Sequence, residues 1–393
     1  VPATHPFGTE LDLYKPGYEA FKHSIYPATP MEIPPRVKVG GKDCKQPYDA
    51  SLYNISAMSF GAISKNAVMA MNGGAKAGGF YHNTGEGGLS EYHLQPGGDI
   101  VWQIGTGYFG CRTKEGRFDS DKFAEHSKQP KVKMIELKIS QGAKPGHGGV
   151  LPAAKNTEEI AGIRGVEPHT VVLSPPGHRE FSDPVGLLTL IQKMRDLSGG
   201  KPVGFKLCIG RTEEFDAICA AMRTTGIQPD FITVDGAEGG TGAAPLEFSD
   251  SVGMPLEPAL IFVDQALRDH GLRDDVRLIA SGKMVTAASI VKILALGADI
   301  CNGARAFMMA VGCIQAQRCD TNNCPTGVAT QRADLMKGLV VEEKAIRVAN
   351  FHRNTLKCVM ELIAACGITK LEDLSPDLLI HGYDWKAEGS PAI

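Results

Sequence analysis

The chain is 393 residues long, 43% hydrophobic and 22% charged, with a formal net charge of −3, which fits one large globular domain or two. The near-neutral balance without a Lys/Arg block excludes a global field for nucleic acid, and no apolar run approaches the roughly 18 residues of a membrane span. Ten cysteines outside any small secreted framework point to a reducing, cytoplasmic setting.

Residues 1–50 are rich in Pro, lack long periodicity, and are expected to wrap the outside of the domain that follows. The start at Val1 rather than Met reads as a trimmed or processed terminus. From residue 51 to 312 there are eight short apolar runs: LYNISAM, GFYHN, VKMIELK, TVVLS, PVGFKLC, DFITVDG, VRLIASG and ADICNGA. The 46 glycines cluster just after such runs, as where strands end in tight ligand-binding turns. Between most runs lie stretches of helical period, among them SKNAVMAMNGGAKAG, DPVGLLTLIQKMRDL, TEEFDAICAAMRTTG and TAASIVKILALG. Short buried strands alternating with helices predict parallel βαβ units. Eight of them make a (β/α)8 TIM barrel, preferred here over a doubly wound sheet. The segment 84–130, with WQIGTGYFGCR near its centre, reads as an insertion after strand two. Residues 313–331 form a cysteine loop, and 332–393 a helical C-terminal extension against the barrel's flank.

Reacting groups in such barrels lie at the C-terminal ends of the strands. The expected ends carry Met58 and Ser59, Asn83 and Glu86, Lys138 leading to Gln141 and Lys144, Ser174, Lys206, Asp235, Ser281 and Asn302. Anion sites commonly form after strands seven and eight, where Ser281, Gly282, Lys283 and Gly303, Ala304, Arg305 stand. Gly239, Gly240, Thr241 and Gly242 would add exposed N–H groups after strand six. Lys206 would be costly to leave unpaired at the end of a buried strand.

Cys313, Cys319 and Cys324 sit in GCIQAQRCDTNNCPTGVATQ, spaced Cys-x5-Cys-x4-Cys-Pro. Three thiolates so close suit an iron–sulfur cube lacking one iron, a [3Fe-4S] cluster; reduced structural cysteines are the alternative. Zinc is disfavoured, because Cys-x2-Cys pairs and a nearby His are missing. Cys301 is the ambiguous fourth thiol, ending strand eight inside an apolar run.

This cysteine segment resembles the cluster-binding segment of glutamate synthases. The resemblance extends in order through SAMSFGAISKNA, HNTGEGG, SQGAKPGHGG, SPPGH, VGFKL and EGGTGAAP, from about residue 50 to 331. It is closest to the short FMN-binding glutamate synthase-like proteins. The resemblance implies FMN beside a [3Fe-4S] cluster, with Met58 and Ser59 against the flavin ring, Gln103 near it and Lys206 as the cation beside N1. It further implies that Gln141, Lys144 and Arg164 hold 2-oxoglutarate while Glu86 deprotonates incoming ammonia. The reaction expected is reductive amination to L-glutamate through 2-iminoglutarate. Two alternatives keep the cofactors: a primary amine as nitrogen donor, giving an N-alkyl glutamate, or a non-catalytic electron-transfer subunit. The family pattern Pro-Gly-Glu-Gly-Gly-Gln is broken at His147 and Val150, which leaves the acceptor open. No amidotransferase domain and no GxGxxG after a strand is found, so ammonia or an amine, and the electrons, are expected from solution or from partner proteins. Some relatives carry a hydrophobic segment upstream, whose loss here would leave room for membrane association.

Overall fold

The computed structural model describes residues 8–381, apart from residues 10 and 16. Eight parallel strands close into a barrel: β1 (Tyr53–Ile55), β2 (Tyr81–Asn83), β3 (Asp99–Ile104), β4 (Val132–Lys138), β5 (Val203–Leu207), β6 (Phe231–Asp235), β7 (Arg277–Ser281) and β8 (Ile300–Gly303). Each pairs with its neighbour in sequence, and β8 returns to β1 through the register Asn302↔Asn54. The expected (β/α)8 TIM barrel is therefore present.

Its strands are not all the expected ones. DIVWQI, read as part of an insertion after strand two, is β3, so no insertion stands there. TVVLS, read as the fourth strand, lies outside the barrel: only Val172–Leu173 is extended, paired antiparallel with Val150–Leu151. The reason is length and exposure. Val171 and Leu173 are 56% and 67% exposed, so the run is a surface hairpin rather than a doubly covered strand. The barrel still has eight strands, and the long connection falls after β4, between residues 139 and 202.

Within the barrel the lower lumen is apolar. Tyr81, Val101, Met134, Phe231, Ile279 and Ile300 pack there with Val39, Tyr48 and Ala50, which come from the hairpin Arg36–Val39/Tyr48–Ser51. Each such apolar side chain contributes roughly 1.5–3 kcal/mol on burial. The hairpin thus plugs the N-terminal mouth, and Asp230 ties it down by accepting from Gly41 N at 2.7 Å and from Val203 N at 2.8 Å. The expected outer wrap is confined to the stretch before it, where Glu19–Phe21 pairs with Leu379–His381 and Ser24 N donates to Ala365 O.

The helix Lys65–Gly78 follows β1; Ser64 caps it by accepting from Ala67 N, and Gly79 ends it in the left-handed region at φ 66°. Its small residues let the C-terminal helix Val341–Ala365 approach closely: a Cβ at Gly74 would lie 2.3 Å from Val348. Of the expected C-terminal extension, residues 382–393 lie outside the described residues. Among the described residues no helix is long and apolar enough to cross a membrane.

Candidate functional site

Above its apolar layer the lumen turns polar. Glu136, 1% exposed, accepts hydrogen bonds from Asn83 Nδ2 (2.8 Å), Gln103 Nε2 (2.6 Å) and Thr233 Oγ1 (2.6 Å). Lys206 stands on the neighbouring strand with Nζ 3.2 Å from Asp235 Oδ2. Burial presses its ammonium pKa down, but Asp235 and Glu136 more than reverse this and raise it above 10.5. The cation expected beside a flavin is thus charged and held from both sides.

The residues expected to bind substrate converge at the C-terminal rim. Glu86 forms an ion pair with Lys138 at 3.2 Å, and Arg164 and Lys144 act on the same carboxylate. Burial raises the Glu86 pKa, yet Lys138, Arg164 and Lys144 together bring it below 4.5, so it is ionised at neutral pH. Gln141 joins the group by accepting from Lys138 Nζ at 3.1 Å. Arg164, 4% exposed, donates to Phe60 O at 3.2 Å and lies over the Phe109 ring at 5.1 Å, with Ser59 Oγ at 3.5 Å. Burial depresses its pKa to about 10, and its Nε has no hydrogen-bond partner among the described residues. Lys144 Nζ donates to Gly148 O at 2.9 Å. Close approach explains Gly85: it has φ 66°, and a Cβ there would lie 2.6 Å from Ser59 N, so the loop bearing Glu86 lies against Met58–Ser59.

Sequence reasoning missed three members. Lys138 was placed only as the strand end leading to Gln141, yet it is the direct partner of Glu86. Glu136 and Lys138 alternate with outward-facing Ile135 and Leu137, a pattern that ordinarily marks a solvent face but here marks the lumen. His178, the last residue of SPPGH, lies between Lys138 O (2.8 Å) and Tyr108 Oη (2.9 Å), and burial lowers its pKa to about 4.

The loops expected to bind an anion lie at the same end of the barrel. Ser281 Oγ lies 3.2 Å from Ser56 Oγ, joining β7 to β1. Arg305 opens a short helix after β8, and a Cβ at Gly240 would lie 2.7 Å from its Nη2. The guanidinium has no ion pair, and the N–H groups of Gly240, Thr241 and Gly242 have no acceptor, among the described residues. Free N–H groups beside a guanidinium suit an anion such as a phosphate; Gly239 and Ala304 flank them in the chain, while Gly282 lies against Leu256 and Glu238 and Gly303 against Tyr53. Lys283 is exposed, in the left-handed region at φ 49°, and makes no hydrogen bond among the described residues.

Cys313, Cys319 and Cys324 also come together. Burial and the neighbouring Cys313 and Cys324 raise the Cys319 pKa. Burial of Cys324 is outweighed by hydrogen bonds from the Ala329, Thr326 and Val328 backbone and from Thr326 Oγ1, so its pKa falls below 9.0. Gln315 N donates to Cys313 Sγ at 3.4 Å. Among the described residues no three His, Cys, Asp or Glu side chains surround a point as ligands of a single ion do. Thiolates on different irons of a cluster stand further apart, and the donated N–H groups suit that charge. Cys301 lies elsewhere, 0% exposed in the apolar shell behind β8. The cysteine loop abuts the glycine loop, since a Cβ at Gly242 would lie 3.1 Å from Cys319 Cβ.

Residues 41–369 match the model of the conserved region in glutamate synthase. A glutamate synthase large subunit-like protein of Bacillus subtilis, YerD, is 46% identical over 345 residues, 87% of this chain and 65% of that protein. An archaeal glutamate synthase (NADPH) of Methanocaldococcus jannaschii is 37% identical over 81% of this chain and 60% of its own length. The chain therefore spans less than two thirds of the curated relatives it matches. The recombinant flavin-binding domain of baker's yeast flavocytochrome b2 superposes with a TM-score of 0.52 at 16% identity, covering 95% of this chain and 79% of that one. At that identity the likeness is one of fold.

Proposed function

The chain belongs to the glutamate synthase family, and on that premise we propose that it reductively aminates 2-oxoglutarate to L-glutamate through 2-iminoglutarate, using FMN and a [3Fe-4S] cluster. The observation that carries this reading is the convergence of Lys138, Lys144 and Arg164 on the single carboxylate of Glu86. Three cations against one anion leave an excess of positive charge in a buried site, which a dicarboxylate would balance.

Lys144 and Arg164 would hold the two carboxylates, with Gln141 beside them. Glu86 would take a proton from incoming ammonium, leaving ammonia to add at C2 and water to leave. In the free protein Glu86 is a weak base, because its cations depress its pKa. A bound dianion shares those cations, so the same carboxylate becomes more basic once substrate is present. Tyr108 and Lys138 fix the neutral His178 beside this proton path. The anion corner at Gly240 and Arg305 would take the FMN phosphate, Met58, Ser59 and Gln103 would border the ring, and Lys206 would stand near N1. Bound FMN would supply the hydride, and a cluster on Cys313, Cys319 and Cys324 the single electrons that replenish it. Ammonia or an amine, and the electrons, would come from partner proteins or solution.

Product analysis tests the reading. Chemically reduced holoprotein given 2-oxoglutarate should form L-glutamate with ammonium; formation of an N-alkyl glutamate with methylamine alone would move the assignment to the amine reaction, and neither product would leave an electron-transfer subunit.

A further inference from the structure

We propose that Lys155 is a positioning residue that locks the cysteine loop onto the flavin-side rim and places a fixed positive charge beside the cluster. The inference rests on the cluster assigned above and extends it to a residue outside the cysteine motif.

Lys155 ends a short 3₁₀ turn, Ala153–Lys155, in the long connection after β4. Its side chain is almost wholly enclosed, at 1% exposure. The ammonium donates to two backbone carbonyls, Ala62 O at 2.8 Å and Cys319 O at 2.6 Å. One belongs to the loop after β1 that carries Met58 and Ser59, the other to the middle cysteine of the trio. Neighbouring contacts run the same way: Asn322 Nδ2 donates to Ala154 O at 2.9 Å, and Gln331 Nε2 donates to Gly61 O and Ile63 O, each at 3.0 Å. Among the described residues Lys155 is the one charged side chain whose hydrogen bonds bridge the two loops.

Two physical facts make it more than a strut. An ammonium has three donors, and only two find an acceptor among the described residues. Lys155 also forms no ion pair there. A charge taken out of water without a counter-ion is costly, and two carbonyl dipoles offset only part of that cost. Asp320 acts on the ammonium only from beyond ion-pair distance, so the compensation is completed by a further anion held at the cysteines. Thiolates and sulfides bound to iron are such an anion, at the one place where Lys155 meets the cysteines. A fixed cation favours the more negative, reduced state of its neighbour and so raises the reduction potential.

The test is an EPR-monitored redox titration of purified holoprotein, with iron content determined alongside, on the parent, Lys155→Met and Lys155→Arg. The expected result is a lower cluster potential in Lys155→Met and a potential close to the parent's in Lys155→Arg. Loss of iron from the Met variant, with retention in the Arg variant, would equally support the role. An unchanged potential in a Met variant that keeps its full iron, or equal iron loss from both folded variants, would overturn it. A parent protein free of iron would instead overturn the cluster assignment, and Lys155's role with it; iron content separates that failure from the others.

Discussion

Lys206 and Asp235 face each other at 3.2 Å from adjacent strands of the barrel, both at 5% exposure or less. Asp235 does not spend its charge on Lys206 alone, for its Oδ2 also accepts from Gly142 N at 2.9 Å. One carboxylate therefore links the cation assigned to the flavin with the loop that carries Gln141 and Lys144. Lys206→Met should lower the flavin's reduction potential, since it removes a cation and leaves Asp235 uncompensated. Spectroelectrochemistry reads this directly; an unchanged potential would remove Lys206 from the flavin site.

Glu86 carries a prediction in pH. Its folded pKa is depressed below 4.5 by Lys138, Arg164 and Lys144, so its contribution to stability is fully present above 4.5 and is lost as pH falls through the folded value. Urea denaturation of the parent and of Glu86→Gln, followed downward from neutral pH, should show the two stabilities converging only below pH 4.5. A difference independent of pH would show that its ion pairs are not what holds Glu86. At neutral pH, Glu86→Gln should bind 2-oxoglutarate at least as well as the parent while slowing the ammonia-dependent step.

Lys144→Ala should weaken 2-oxoglutarate binding by about 1.5–3 kcal/mol, the worth of a hydrogen bond to a charged group, or roughly 10- to 150-fold in Kd. Calorimetric titration measures this. An unchanged Kd would leave Arg164 and Lys138 as the carboxylate ligands.

Glu136→Gln should destabilise the barrel by about 1–3 kcal/mol, because an amide offers one acceptor oxygen where three donors converge. Flavin retention should fall with it, since Gln103 loses its 2.6 Å acceptor. Denaturant midpoints and flavin content of the purified variant check both halves.

Cys324→Ser should abolish the cluster's visible absorption and the EPR signal of its oxidised form, whereas Cys301→Ser should keep both. Cys301 is enclosed in the apolar shell behind β8, and burial holds its thiol pKa far above the usual range. Iron loss from the Cys301 variant would make it a ligand and end the three-thiolate assignment.

The barrel was legible in the sequence because strand–helix alternation has a physical period, and the rim because polar residues and glycines follow each apolar run. The identity of the strands was less so. A short apolar run looks alike in a barrel and in a surface hairpin, which is how TVVLS displaced DIVWQI. The lumen was the least legible part. Glu136 and Lys138 read as one solvated face of a strand, and only closure of the barrel turns that face inward. Lys155, too, looked like any lysine in a loop; its burial depends on the cysteine loop folding back from more than 150 residues away.

The most direct measurement is anaerobic stopped-flow reoxidation of the fully reduced holoprotein, monitored by flavin absorbance. The account predicts that 2-oxoglutarate and ammonium together restore the oxidised spectrum and release one L-glutamate per flavin, while either alone does not. Reoxidation unaffected by 2-oxoglutarate, or none with both present, would contradict it.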